Sequence, residues 1–268
     1  MEPQIYPILN HQIAIYQNNL DAPAIVLCHG NSTSSRIFQK QFAGELAQKF
    51  RLVAFDYPGH GRSANAANPQ DYSLPGLADV LVEIVSQLKL ENATFIGFSL
   101  GGHVVLEASS RLPQAKGFMI YGAPPVGKPP AMEQAFLPHP SMNVLFKGVL
   151  TPEEAELLES ASFVPGTPPP PQFVEDCLRA DPQWRGSFGG SIMQGRYLDE
   201  IEIVHTLRRP LAVLQGQHEQ LINLDYLRSL SMPTLWRGAV QVVPDTGHAL
   251  HWEAPQAFAA LAQAFAEG

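Results

Sequence analysis

Segment 97–101 reads Gly-Phe-Ser-Leu-Gly and places Ser99 between two glycines. It follows a short apolar run, typical of a β-strand, at 93–96 and precedes a helical pattern that begins at Gly102. A sharp strand-to-helix turn of this composition indicates a nucleophile elbow, which exposes a strained serine above the edge of a sheet. The pattern therefore predicts Ser99 as a nucleophile, although glycine and serine also occur in ordinary turns.

A serine hydroxyl needs a general base, which is usually a histidine that a carboxylate orients. Behind a nucleophile elbow the expected order along the chain is serine, acid, histidine. Glu219 follows the strand-like run 211–214, and His248 follows the run 239–243. Because the carboxyl ends of parallel strands meet at one edge of a sheet, we predict that Ser99 attacks, His248 acts as base and acid, and Glu219 orients His248.

Other residues compete for two of these roles. His251 is the nearest rival to His248, and Asp245 and Asp225 are rivals to Glu219. Asp245 is too close to His248 along the chain to reach its far ring nitrogen easily, and Asp225 suits a helix cap. The other histidines are more simply explained as structural: His11, His29, His60, His103, His139, His205 and His218.

An ester or amide that a serine attacks develops a negative charge on its carbonyl oxygen, which backbone N–H groups can stabilise. One donor should be the amide of Leu100, directly after the nucleophile and at the positive end of its helix. The second should come from the loop after the buried strand 24–28, and we assign it to Asn31. A simple tight turn is the alternative for His29-Gly30, but its position next to a buried strand favours the functional interpretation.

Strands and helices alternate over the first part of the chain, which predicts a mostly parallel sheet with flanking helices. The pattern stops after about residue 123, where more than half of the 24 prolines are concentrated. Large apolar side chains in this stretch favour a small helical cap over a flexible linker. The runs are strand-like at 11–16, 24–28, 51–56, 93–96, 115–121, 211–214 and 239–243, and helical at 38–50, 77–88 and 255–266.

Composition excludes several classes of function. The net charge of −8 argues against nucleic acid or an anionic membrane as the main partner. No secretory signal or membrane span is visible, and Cys28 and Cys177 fit reduced thiols, so we expect a cytoplasmic protein. No metal-ligand spacing or phosphate-binding loop is present, so we expect neither a metal nor a cofactor.

Taken in order, five segments of the chain resemble the α/β-hydrolase superfamily. They are 29–31, 56–63, the elbow at 97–101, Gly216-Gln217-His218-Glu219 and Gly247-His248. The resemblance implies an α/β-hydrolase fold with a core domain at 1–122 and 206–268 and a cap insertion at 123–205. In that superfamily segment 56–63 is a structural loop, so His60 and Arg62 are not expected to be catalytic.

A narrower resemblance is to the serine-dependent N-acyl-homoserine lactonases of this fold. It rests on 29–35, Gly101-Gly102-His103, 121–126 and a glutamate at 219. The resemblance implies hydrolysis of a lactone through an acyl-enzyme, with the cap around the acyl chain, and it fades across 127–205. From it we expect substrate contacts at Gly30, Phe98, Phe136, Phe146 and Leu158.

Two alternatives stay open from the sequence. A general carboxylesterase or a carbon–carbon bond hydrolase would use the same three residues, and a ligand-binding receptor of this fold would hydrolyse little. The serine at 99 argues against relatives of this fold that attack with aspartate, such as haloalkane dehalogenases and epoxide hydrolases. The expected partner is a small acyl ester or lactone, and the oligomeric state is not indicated.

Overall fold

An eight-stranded sheet runs through the protein, which a computed structural model describes over residues 2–268. The strand order is β1-β2-β4-β3-β5-β6-β7-β8, in which β1–β2 and β2–β4 pair antiparallel and the other neighbours pair parallel. This is the fold class predicted from the alternating pattern. The strands are β1 Gln4–Ile8, β2 His11–Gln17, β3 Ala24–Cys28, β4 Arg51–Phe55, β5 Thr94–Phe98, β6 Gly117–Tyr121, β7 Leu211–Gly216 and β8 Gln241–Val243.

The central strands are continuous apolar runs because helices cover both of their faces. Every residue of β5, β6 and β7 is buried. Strand β1 was not predicted, since Pro7 interrupts its short run. It lies at the edge of the sheet and pairs with β2, and an edge strand tolerates a proline that cannot donate to the ladder.

Twelve α-helices flank or cap the sheet within the described part of the chain. The prediction of a single helix at 38–50 is wrong. Gly44 has an extended backbone conformation, which separates two short helices. The helices are α1 Gln39–Ala43, α2 Leu46–Lys49, α3 Leu74–Leu88, α4 Leu100–Ala108, α5 Met132–Ala135, α6 Pro152–Ser160, α7 Pro171–Arg179, α8 Trp184–Met193, α9 Glu200–Thr206, α10 Leu224–Ser229, α11 Leu250–Glu253 and α12 Pro255–Glu267.

The long connection between β6 and β7 is helical, as the cap interpretation predicts. It carries α5 to α9 and no strand of the sheet. Helix α6 begins with a capping box, in which Thr151 and Glu154 each satisfy the other's backbone amide. The boundaries 123 and 205 for a separate cap domain remain a prediction.

Apolar side chains pack on both faces of the sheet. One cluster joins α3 and α4 to one face, and a second joins α12 to the other. Among residues 2–268, no helix has the length and apolar character needed to cross a membrane.

Candidate active site

Ser99 lies in the sharp turn between β5 and α4. Its backbone has φ 50° and ψ −118°, a conformation that costs a non-glycine residue about 1–3 kcal/mol and persists where the surrounding structure enforces it. A Cβ on Gly97 would come within 2.3 Å of the Gly101 carbonyl oxygen, and one on Gly101 within 2.2 Å of the Cys28 carbonyl oxygen. The two glycines therefore allow the close approach of strand, turn and helix that an elbow requires.

His248 and Glu219 meet at the carboxyl edge of the sheet. Glu219 follows β7 and His248 follows β8, and the Nδ1 atom of His248 is 2.7 Å from Oε2 of Glu219. The side chains are only 4% and 2% exposed. A carboxylate can only accept, so His248 donates from Nδ1, and its Nε2 is left as the basic nitrogen.

Contacts around the pair hold both partners in place. The second oxygen of Glu219 accepts the amide of Leu221 at 2.8 Å. The amide of His218 donates to the Thr246 carbonyl at 2.7 Å and joins the loops after β7 and β8. The ring of Phe98 packs against the imidazole of His248, with centroids 5.0 Å apart.

Of the three candidate carboxylates, Glu219 is the one that reaches His248. Asp245 is exposed in the loop just before His248, and its backbone amide donates to Gln217. Asp225 lies in the first turn of α10, where its exposed carboxylate faces Arg228 at 3.7 Å. Both aspartates thus occupy surface positions away from the imidazole.

The rival histidine, His251, belongs to the core. It is fully buried among aromatic rings that include Phe98 and Tyr121, and neither ring nitrogen has a hydrogen-bond partner in the described residues. Burial, with a smaller effect of His248, lowers the pKa of His251 to about 3. An imidazole without polar contacts has no substrate proton within reach.

His29 and His60 are buried structural residues. The His29 ring donates to the Gly30 carbonyl and accepts the amide of Tyr57 at 3.1 Å. Burial lowers its pKa to about 4, and burial with the neighbouring His29 lowers the pKa of His60 to about 3. Both rings are neutral and hold the loops next to the elbow.

The predicted oxyanion donors, Asn31 and Leu100, both border the same cavity as Ser99. Within residues 2–268, neither backbone amide has a hydrogen-bond acceptor. Gly30 brings the Asn31 loop close to the elbow, since a Cβ there would lie 2.9 Å from the Phe98 ring and 3.4 Å from Ser99 Cβ. The two amides are available to a ligand next to Ser99.

The helical insertion holds the Asn31 loop through contacts that sequence reasoning missed. The indole of Trp184 donates to Asn31 Oδ1 at 2.6 Å, and the buried guanidinium of Arg185 donates to Ser32 Oγ at 2.8 Å. Ser32 Oγ in turn donates to Asn31 Oδ1 at 2.8 Å. No local signal in the sequence connects residues 153 positions apart.

A cavity of about 630 Å³ opens beside Ser99. Phe136 and Phe146, two of the residues expected to contact substrate, line this cavity. The expected substrate contacts at Gly30, Phe98 and Leu158 are not among the lining residues. A Cβ on Gly30 would meet the Phe98 ring at 2.9 Å, and Leu158 packs in a separate small cluster with Ala155 and Cys177. The remaining lining residues are Leu74, His103, Val126, Met132, Glu133, Leu137, Pro138, Met142, Leu145, Phe188, Ile192, Tyr197 and Glu200.

The chain belongs to the alpha/beta hydrolase family. The family model matches residues 25–261, a range that contains the elbow at Ser99 and the Glu219–His248 pair. The protein is a hydrolase of this family. Within the part of the chain that the structure describes, no group of three His, Cys, Asp or Glu side chains could hold a metal ion.

Curated relatives match only a segment of the chain. A putative carbamate hydrolase, RutD of Yersinia enterocolitica, is 36% identical over 98 residues, which are 37% of this chain and 34% of that protein. The bifunctional esterase/perhydrolase DCH of Acinetobacter calcoaceticus is 35% identical over 109 residues, which are 40% of this chain and 39% of that protein. The matched segments thus span 34% and 39% of those relatives' lengths.

Solved structures match the whole chain. A mutant of the N-acyl homoserine lactonase AidH in complex with N-hexanoyl homoserine lactone has a TM-score of 0.94 and 30% identity, over 99% of this chain and 97% of that chain. AidH complexed with N-butanoyl homoserine matches with the same TM-score and identity. An esterase from Exiguobacterium antarcticum, at 18% identity and TM-score 0.80, shares the fold.

Proposed function

We propose that this protein hydrolyses N-acyl-homoserine lactones through an acyl-enzyme on Ser99. The observation that carries the proposal is the cavity of about 630 Å³, which is polar where it meets Ser99 and largely apolar beyond. A cavity of this size suits a small molecule with an apolar tail. Similarity over almost the full length to AidH, solved with N-hexanoyl homoserine lactone, supports the same substrate class.

The reaction begins when His248 Nε2 takes the proton of the Ser99 hydroxyl and the oxygen attacks the lactone carbonyl. The charge that develops on the carbonyl oxygen is stabilised by the amides of Asn31 and Leu100, and each such donor is worth about 3 kcal/mol. Glu219 stabilises the imidazolium that forms and keeps its orientation. Ser99, Glu219 and His248 all follow the carboxyl ends of strands of the sheet.

Collapse of the tetrahedral intermediate breaks the ring C–O bond. His248 returns its proton to the leaving alkoxide, which becomes the hydroxyl of the homoserine portion. The acyl-enzyme is then an ester of Ser99 with the opened acid. A water molecule attacks this ester with His248 as base, Ser99 recovers its proton, and the product leaves as an N-acyl-homoserine carboxylate.

The deciding experiment is acid release from N-acyl-homoserine lactones with acyl chains of four to twelve carbons. Ser99→Ala should reduce kcat by about 10⁴- to 10⁶-fold, as loss of a serine nucleophile does in related chemistry. Ser110→Ala, at an exposed serine just beyond α4, is the matched control and should leave turnover and Tm unchanged. Unchanged turnover in Ser99→Ala would refute the assignment.

The same assay separates the alternatives. Turnover of nitrophenyl esters or of vinylogous ketoacids without turnover of the lactones would replace the proposal with a general esterase or a carbon–carbon bond hydrolase. A fluorophosphonate probe should label Ser99 in the intact protein. Failure of that labelling, together with tight lactone binding, would indicate a receptor.

A further inference from the structure

The cavity wall contains a histidine–glutamate pair that the proposed reaction does not use. His103 lies one turn after Ser99 on α4, and its backbone amide donates to the Ser99 carbonyl at 3.4 Å. Glu200 begins α9 and lies on the same wall. Both carboxylate oxygens of Glu200 are 2.9 Å from Nδ1 of His103.

Of the polar side-chain atoms in this pair, Nε2 of His103 is the one without a hydrogen-bond partner among residues 2–268. The Glu200 carboxylate is 1% exposed and also accepts the amide of Val126 at 2.8 Å. Because the carboxylate only accepts, Nδ1 of His103 carries the shared hydrogen. No group among residues 2–268 hydrogen-bonds Nε2 of His103, and the side chain is 16% exposed on the cavity side.

The environment favours the charged form of the imidazole. Burial alone would lower the pKa of His103, but the charge and the hydrogen bond of Glu200 outweigh it and raise the pKa above its usual value. Most of the wall around the pair is apolar, with Val126, Leu74 and Ile192 among its residues. A charged N–H donor in such a wall is unsatisfied unless the ligand offers an acceptor.

We propose that His103, oriented by Glu200, donates a hydrogen bond from Nε2 to the amide carbonyl of an N-acylated lactone. The cavity then selects substrates that carry an acylamino group on the carbon next to the reacting carbonyl. This inference rests on the proposed function. It identifies the amide of the N-acyl group as the part of the substrate that His103 binds.

Position along the helix supports the amide as the partner. One helical turn rises about 5.4 Å, so His103 stands about that far along α4 from the nucleophile. In an N-acyl-homoserine lactone the amide is attached two bonds from the carbonyl that Ser99 attacks. With the lactone carbonyl at Ser99, the amide falls near His103, and the acyl chain continues along the apolar wall.

The test compares two substrates of equal chain length. One is an N-acyl-homoserine lactone, and the other is an α-alkyl-γ-butyrolactone, in which methylenes replace the amide. His103→Gln should lose about 10- to 100-fold more kcat/KM on the amide substrate than on the alkyl lactone, the range of a charge-assisted hydrogen bond. Glu200→Gln retains the shape of the side chain but removes its charge, and should shift the ratio in the same direction.

Controls distinguish recognition from a purely structural role. His205→Asn, at an exposed histidine outside the cavity, should leave the substrate ratio unchanged. An equal loss on both substrates in His103→Gln and Glu200→Gln, or no loss in either, would overturn the inference. A wild-type protein that opens neither lactone would instead refute the proposed function.

Discussion

The carboxyl edge of the sheet and the helical insertion above it contribute differently to the site. At the sheet edge, Ser99, Glu219 and His248 are held by strand ends and by short polar contacts such as the 2.7 Å bond between Glu219 and His248. On the insertion side, the wall is formed mainly by apolar side chains, of which Phe146 and Met132 are partly exposed.

From this difference we expect the sheet edge to determine the rate of the reaction and the insertion to determine which substrate is used. A hydrogen-bonded group at a strand end has one working geometry, and a shift of about 1 Å can cost 10²-fold in rate. An apolar wall tolerates changes in shape and volume, and each methylene that fits or does not fit is worth about 10- to 200-fold in discrimination. We therefore expect edge variants to affect kcat for every substrate and insertion variants to change which substrate is used.

After Ser99→Ala, the largest effect is expected from Glu219→Gln. The amide has nearly the same shape but cannot stabilise the imidazolium, so kcat should fall by about 10³- to 10⁴-fold for all chain lengths. Asp245→Asn is the matched control, because asparagine tolerates the positive φ of 55° at that position. The measurement is the steady-state kcat of both variants. A larger loss of kcat in Asp245→Asn than in Glu219→Gln would refute the assignment of Glu219.

A smaller effect is expected from Gly122→Ala. A Cβ at this position would lie 2.5 Å from the imidazole carbon Cε1 of His248 and 2.8 Å from Nδ1. The imidazole must shift, and we expect a loss of kcat of about 10- to 100-fold. Gly195→Ala introduces comparable backbone strain, with φ +69° against +63°, but meets no atom within 4 Å. Equal losses in both variants would show that strain, not the displaced imidazole, is responsible.

The insertion wall is tested by Leu145→Trp. The larger ring fills part of the cavity that Leu145 lines, so kcat/KM for twelve-carbon chains should fall about tenfold or more while four-carbon chains are little affected. Val149→Trp, at a side chain that is 69% exposed and outside the lining, is the control. A uniform loss across chain lengths would contradict the division between edge and insertion.

The smallest effect concerns stability within the insertion. Burial, together with the nearby Asp176, raises the pKa of Glu159 to about 8 against the opposing effects of Cys177 and Arg185. The unfolded value is near 4.5, so the stabilisation from protonated Glu159 is complete below pH 4.5 and is lost as the pH rises to about 8.

Glu159→Gln should therefore gain thermal stability relative to the wild type as the pH rises. For each kcal/mol by which ionisation of Glu159 lowers the wild type's free energy of unfolding between pH 5 and pH 9, we expect the difference in Tm to grow by about 2–4 °C. Glu156→Gln, at an exposed glutamate of the same helix, is the control. A Tm difference that does not change with pH would mean that Glu159 is ionised in the folded protein.

Local pattern was sufficient for most of the core elements. Strand β3 has the predicted bounds, and β5, β6 and β7 agree to within a few residues, because a strand buried on both faces must be apolar throughout. The helix predicted at 38–50 failed because a turn at Gly44 interrupts an apolar periodicity that by itself continues. Strand β1 was missed because its pairing with β2, and not its own composition, makes it a strand.

In the candidate site, the sequence pointed to Ser99, Glu219 and His248 but not to the contacts that the insertion makes there, such as that of Trp184 with Asn31. Ser99 directly follows a strand, Glu219 and His248 lie in the loops that follow two others, and the structure brings Glu219 and His248 together. The sequence favoured Glu219 over the aspartates, and the fold added the 2.7 Å contact between Glu219 and His248, which are 29 positions apart. The structure places Phe136 and Phe146 in the cavity wall but Leu158 in a separate cluster, because helical phase decides which way an apolar side chain points.

Order along the chain was enough to predict most strands of the sheet, the sharp turn at Ser99 and the positions of Glu219 and His248 after strands β7 and β8. Strands and turns depend on short-range sterics and apolar patterning, which a sequence displays. Tertiary structure alone decided the cavity, the Trp184–Asn31 contact and the His103–Glu200 pair. These contacts join side chains 153 and 97 positions apart. Their formation depends on how the insertion packs against the sheet edge, and no local periodicity encodes that packing.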